Sequence, residues 1–307
     1  MKAARFHEYG DPTVIRYETV PRAVPGPGEV LLRVAASSFN PTETALRSGL
    51  LRSILPVDLP YTLGWDVAGT VVEIGGGVHT LSVGDRVIGR LDGGGAAAEY
   101  VAAPADTLVP APAAIPLANA AAMPVAGLTA WQAVFEHGRV TSGQRVLVNG
   151  AGGGVGGFVV QLARHAGAQV IATASPRSAA AVRRSGADQI IDYTATPVGD
   201  AVEEPVDTVL NLVAIGPVEA AALVPLVRPD GVIVSVTTPI EPPPDVPLRA
   251  VHMVARNDVN HLGALVKLVD AGAVHLDIAA SRPFADLAAV HDDAESGRTR
   301  GKIILVP

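Results

Sequence analysis

The chain has 307 residues, 49% of them hydrophobic and 17% charged, with a net charge of −7 and no cysteine. That length is too great for one ordinary core and comfortable for two domains. The mild acidity argues against nucleic acid or an anionic membrane as a partner, and without thiols there is no disulfide, thiolate metal site or cysteine nucleophile.

At the N-terminus, Met1 to Phe6 lacks the apolar stretch of a secretory leader. No later run reaches the roughly 18 uninterrupted apolar residues of a membrane span. A soluble, cytoplasmic protein is the expectation. Pro25-Gly26-Pro27-Gly28 is a turn signal, and the apolar run from Val30 to Ala36 behind it reads as a buried strand. Val67 to Ile74, Val83 to Gly89 and Ala98 to Ala103 read as further strands, which predicts a small β-rich, barrel-like domain. The proline-rich stretch Val109 to Pro116 suits neither a regular helix nor a central strand and marks a linker. Beyond it, strand-like runs lie at Arg145 to Asn149, Gln169 to Ala174, Gln189 to Asp192, Thr208 to Leu212 and Val232 to Val236. Helical segments such as Val159 to His165 and Ser178 to Ser185 separate most of them. That alternation predicts βαβ units and a doubly wound parallel sheet, an α/β class. A strand from Leu248 to Ala255, a helix from Asn257 to Ala271 and a final strand from Gly301 to Val306 follow.

The sharpest chemical signal is Asn149-Gly150-Ala151-Gly152-Gly153-Gly154-Val155-Gly156, which leaves a predicted strand and opens a predicted helix. As a G-x-G-x-x-G fingerprint with Ala first, its key positions are Ala151, Gly153 and Gly156. The first permits a tight turn, the second lets backbone N–H groups approach a pyrophosphate, and the third lets helix pack on strand. An NAD site has an acidic residue at the end of the next strand, roughly 20 residues on. Here the run is Ala174-Ser175-Pro176-Arg177-Ser178, with two hydroxyls and an Arg that suit the 2′-phosphate of NADPH. Ser and Pro also begin helices in their own right, and Ser178 is a candidate cap.

These residues, with Asn40-Pro41-Thr42-Glu43, Val83-Gly84-Asp85-Arg86-Val87, Gly127-Leu128-Thr129-Ala130-Trp131, Gly186-Ala187-Asp188 and Gly301-Lys302-Ile303, give the chain its family likeness. It resembles the zinc-independent quinone oxidoreductases of the medium-chain dehydrogenase/reductase superfamily over nearly its whole length. The resemblance implies a GroES-like catalytic domain of residues 1–118 and 272–307 and a Rossmann NADPH-binding domain of residues 119–271. It implies that Thr129 meets the nicotinamide half, Ala151, Gly153, Gly154, Val155 and Gly156 hold the pyrophosphate, and Ser175 and Tyr193 meet the 2′-phosphate. A basic residue of the family aligns with Ser178, so Arg177 stands in for it. Asn40 would reach the nicotinamide ribose or the substrate, and Lys302 would also serve the cofactor. In relatives the region of Leu248 to Ala255 lies near an edge strand that pairs subunits, so a homodimer is expected.

Two departures narrow the chemistry. Zinc alcohol dehydrogenases carry Gly-His-Glu where this chain has Gly64-Trp65-Asp66, and the eight His residues form no ligand cluster, so no metal is expected. Related reductases have a proton-donating Tyr near the positions of Leu50 and Leu51. Without a metal or that acid, the acceptor must be electrophilic by itself. The expectation is an NADPH-dependent oxidoreductase passing hydride to a quinone or similar carbonyl, with water as proton source. An NADPH-dependent enoyl or alkenal double-bond reductase is the alternative enzyme, and a non-catalytic NADPH-binding protein the alternative of another class. Candidate pocket walls are Phe39, Asn40, Leu51, Tyr61, Trp65 and Leu91, whose aromatics are equally suited to a core; Tyr61, between Pro60 and the Gly64 turn, is expected to be exposed.

Overall fold

The run of apolar and small residues from Glu29 to Ser38 forms the longest strand of the computed structural model, which describes residues 1–307. Val30, Leu32 and Val34 alternate inward from it and pack with Val67, Val71 and Val87 in one core. The strand pairs antiparallel with Asp66–Ile74, Tyr100–Pro104 and the chain's last strand, Lys302–Val306. The seven-stranded sheet so built continues through Arg86–Arg90 to Leu108–Pro110, an edge position where Pro110 withholds no needed donor. A smaller sheet holds Ile15–Thr19, Lys2–Phe6 and Tyr61–Thr62.

Six parallel strands form a second sheet, in the order Gln189–Asp192, Gln169–Ala174, Arg145–Asn149, Val206–Asn211, Val227–Ser235 and Arg249–His252. The order steps out from the first strand in one direction and then in the other, which is the doubly wound arrangement with its switch beside Arg145–Asn149. Leu147, Ile171, Val209 and Ile233 are buried along it.

The chain divides into two units, Met1–Val125 with Asn257–Asp270 and Ile278–Pro307, and Ala126–Arg256 with Ala271–Asp277. The helix Val259–Asp270 groups with the first unit, although its sequence position suggests the second. Asn257 Nδ2 donates to Arg90 O at 2.9 Å, and Asp270 Oδ1 accepts from Ala114 N–H at 2.9 Å, fastening both ends of the segment there. No helix is long and apolar enough to cross a membrane.

Candidate functional site

In the second unit the Gly-rich turn runs from the strand Arg145–Asn149 into the helix Gly156–His165. Gly150 has φ +95°, left-handed backbone that side chains rarely adopt. A Cβ at Gly156 would lie 2.4 Å from Gly150 O and 2.5 Å from Ala151 Cα, so helix and strand meet this closely only over a glycine. A Cβ at exposed Gly153 would meet nothing nearer than Gly150 O at 3.5 Å. The turn is thus closed underneath and open above. Beneath an opening of that kind, the free N–H groups of a helix N-terminus suit a phosphate, and the residues present fit a dinucleotide.

A chain of side-chain hydrogen bonds supports the turn from below. Thr173 Oγ1 accepts from Gly150 N–H at 2.8 Å and donates to Asn149 Oδ1 at 3.0 Å. Asn149 Nδ2 donates to Asn211 Oδ1 at 2.9 Å, and Asn211 Nδ2 to Ser235 Oγ at 3.0 Å. Each residue ends, or nearly ends, one of four neighbouring strands. Sequence reasoning missed the ladder, although a polar residue at or next to the end of each apolar run was its visible signal.

Ser175 caps the helix Pro176–Arg184, and Ser178 Oγ accepts from Ser175 N–H at 3.2 Å. The cap is therefore Ser175, with Ser178 its reciprocal partner three residues on, which corrects the expectation of a cap at Ser178. A Cβ at Gly152 would come within 2.5 Å of Ser178 Oγ, so the capping box packs directly on the Gly-rich turn. Exposed Arg177 follows the strand Gln169–Ala174, and Tyr193 follows its neighbour Gln189–Asp192. Half-buried Thr129 lies on the helix Pro124–Trp131.

In the first unit, Asn40 and Lys302 belong to a buried polar cluster with Ser38, Glu43 and Asp66. Lys302 Nζ donates to Phe39 O at 3.0 Å and Asn40 Oδ1 at 2.9 Å, and lies 3.5 Å from Asp66 Oδ2. That oxygen also accepts from Asn40 Nδ2 at 2.8 Å and from the Ser38 hydroxyl, while Asp66 Oδ1 accepts from Val125 N–H at 2.7 Å. Both ends of the Asn40 amide are engaged within the protein. Glu43 accepts from Gly64 N–H at 2.8 Å and Asn40 N–H at 3.2 Å, tying the Gly64 turn to the start of the helix Thr42–Ser48. Burial pushes its carboxyl up to about 7 despite those bonds. Burial also lowers the Lys302 ammonium, against the pull of Asp66 and Glu43.

Of the expected pocket walls, Phe39, Tyr61, Trp65 and Leu91 are buried in the core, and Leu51 packs half-buried against it. Tyr61 is only 8% exposed, which corrects the expectation from its flanking Pro60 and Gly64: its ring packs on Phe6 with centroids 5.6 Å apart. Trp65 Nε1 donates to the Tyr61 hydroxyl at 3.0 Å, and burial raises that hydroxyl to about 12.

Residues 26–113 match the Alcohol dehydrogenase GroES-like domain family, and residues 185–305 the Zinc-binding dehydrogenase family. A chloroplastic quinone oxidoreductase of Triphysaria versicolor is 31% identical over 100% of this chain and 98% of its own. A chloroplast envelope quinone oxidoreductase homolog of Arabidopsis thaliana is 39% identical over 67% of this chain and 64% of its own. A chloroplastic NADPH-dependent alkenal/one oxidoreductase of Arabidopsis thaliana is 31% identical over 100% of this chain and 80% of its own. Among solved structures, the quinone oxidoreductase of Coxiella burnetii superposes with TM-score 0.91 at 31% identity, over 100% of this chain and 99% of the other. That of Escherichia coli complexed with NADPH superposes with TM-score 0.89 at 26% identity, over 100% of both chains. The residues do not fit the zinc of the wider group: there is no Cys, and no three His, Asp or Glu side chains converge. The chain belongs to the zinc-independent quinone oxidoreductase family of the medium-chain dehydrogenase/reductase superfamily.

Proposed function

We propose that this enzyme transfers hydride from NADPH to a quinone or a similarly electrophilic carbonyl compound. The observation that carries this is the Gly-rich turn, closed at Gly156 and open at Gly153. NADPH, when bound, supplies the hydride. The backbone of Ala151 to Gly156 and the helix behind it hold the pyrophosphate, with the ladder from Thr173 to Ser235 keeping the turn in place. Ser175, Arg177 and Tyr193 receive the 2′-phosphate, because no carboxylate stands at the end of the strand Gln169–Ala174 to favour a free ribose hydroxyl. Thr129 contacts the nicotinamide half, whereas Lys302 donates to Asn40 and Asn40 to Asp66 inside the first unit. Hydride addition to a quinone gives a delocalised anion, so orientation supplies most of the catalysis and a metal is dispensable.

Reduction of an activated carbon–carbon double bond is the second reading, supported by the likeness to the alkenal/one oxidoreductase along the entire chain. One assay separates them: oxidation of NADPH and of NADH with 9,10-phenanthrenequinone, with an alkenal, and with no acceptor. Turnover with the quinone and preference for NADPH are expected. Arg177→Ala should raise the KM for NADPH by about tenfold or more, the worth of one charge-assisted hydrogen bond, and leave that for NADH unchanged. Equal effects on both cofactors would show that Arg177 does not read the phosphate.

A further inference from the structure

Asn149 is the only asparagine of the chain that precedes a glycine. In such a pair no side chain shields the glycine nitrogen, and the side-chain carbonyl before it lies within reach of a five-membered ring. The structure adds a second feature. Thr173 Oγ1 accepts from Gly150 N–H at 2.8 Å and donates to Asn149 Oδ1 at 3.0 Å. One hydroxyl therefore touches both the nitrogen that would attack and the oxygen that would receive its proton. Thr173 is buried, so water does not displace it, while Asn149 and Gly150 are half-buried and stay within reach of water. The amide nitrogen that would leave, Asn149 Nδ2, donates to Asn211 Oδ1 at 2.9 Å.

We propose that Asn149 is a site of self-catalysed deamidation, with Thr173 relaying the proton. Gly150 N attacks Asn149 Cγ and forms the N–Cγ bond. Its proton passes to Thr173 Oγ1 while the Thr173 proton passes to Asn149 Oδ1, the two-way transfer of a general acid–base group. The neutral carbinol then collapses: the Cγ–Nδ2 bond breaks, the hydroxyl proton leaves with the amide group as ammonia, and a succinimide remains. One water opens that ring at either carbonyl to give aspartate or isoaspartate, and nothing is oxidised or reduced. Either product faces Asn211 Oδ1 with a carboxylate, two acceptors without a donor, and the rung between the two strands is lost. Isoaspartate also adds a methylene to the backbone at the entrance of the turn. The consequence for function rests on the dinucleotide reading above. Cyclisation has to draw Gly150 away from Thr173 and shift the turn, so a bound pyrophosphate slows it, and a modified turn holds NADPH poorly. The site ages only while it stands empty.

The test incubates the ligand-free protein at mildly alkaline pH, digests it with trypsin and follows the peptide Val146–Arg164 by liquid chromatography and mass spectrometry. Synthetic peptides with aspartate or isoaspartate in place of Asn149 identify the products. Both should accumulate faster in the folded chain than in the same chain unfolded in urea, where Thr173 no longer bridges the pair. Thr173→Ser should keep the rate, and Thr173→Val should lower it about a hundredfold, the low end of what a positioned proton-transfer group contributes. Excess NADPH should slow the loss of Asn149. The converted fraction should bind NADPH roughly tenfold more weakly by fluorescence titration, the worth of one broken hydrogen bond between buried groups. Should Thr173→Val fail to fold by its melting curve, the folded and urea-unfolded wild-type rates decide alone. Slower conversion in the folded chain than in urea, or a folded Thr173→Val that converts as fast as wild type, would overturn the proposal. Conversion at the expected rate in a wild-type chain that binds no NADPH would overturn the dinucleotide reading and uphold the modification site.

Discussion

Gly153 and Gly156 sit three residues apart in one turn, and a methyl group would meet opposite surroundings at each. At Gly153 it would project into open space on backbone outside the left-handed region, so Gly153→Val should fold normally. The same side chain would fill the space a pyrophosphate needs, and NADPH binding should be lost. At Gly156 even Ala would press on the backbone of Gly150 and Ala151, forcing helix and strand apart at a cost of about 1–3 kcal/mol. The smaller change, Gly156→Ala, is thus the more disruptive of the two to the fold. Fluorescence titration with NADPH, beside melting curves of the ligand-free variants, checks both halves. Normal NADPH binding by Gly153→Val would make the turn a purely structural loop.

At the scale of elements, the parallel strands were legible because strands covered on both faces read as near-continuous apolar runs. Arg145–Asn149, Gln169–Ala174 and Gln189–Asp192 fall where their runs lie, whereas Val227–Ser235 begins five residues before the apolar signal at Val232. Local pattern could not reveal what distant chain segments build together. Lys302 and Asp66 are 236 residues apart, and nothing around either one announces the cluster that buries both. Tyr61 was misplaced for the same reason: its neighbours signal a turn, while Phe6, far away in the chain, supplies its cover. The strand Arg249–His252 ends the parallel sheet and has one neighbour only, Val227–Ser235. Val254, two residues beyond it, is 81% exposed. An open strand with apolar flanks is a template for a second copy, so a homodimer paired along this edge is the expected assembly. Light scattering after gel filtration should give twice the chain mass of 31.3 kDa, and Val254→Asp should return it to that mass. A wild-type chain that runs at the monomer mass would leave the edge unpaired.

For the molecule as a whole, two buried groups of the first unit set opposing pH dependences. His291 is fully buried, edge-on to Phe39 at 5.1 Å, and neither ring nitrogen has a partner. Burial, aided by the Arg47 charge, lowers it from 6.5 to about 3. Its contribution to stability is therefore complete above pH 6.5 and is lost as the pH falls toward 3. Glu43 behaves the other way: burial raises it from 4.5 to about 7, so its contribution is complete below pH 4.5 and is lost as the pH rises through 7. Between those ordinary values, 4.5 and 6.5, acidification strengthens the fold through Glu43 and weakens it through His291, and the two slopes offset each other. Each slope is at most about 1.4 kcal/mol per pH unit. Replacing one group should uncover the other. His291→Leu, which also removes two unsatisfied nitrogens, should gain stability on acidification from neutrality. Glu43→Gln should lose stability over the same range. Denaturant melts of both variants and the wild type, at neutral pH and again near the ordinary carboxylate value, measure the difference. If the two variants keep the wild-type pH dependence, neither group titrates inside the fold as its burial requires.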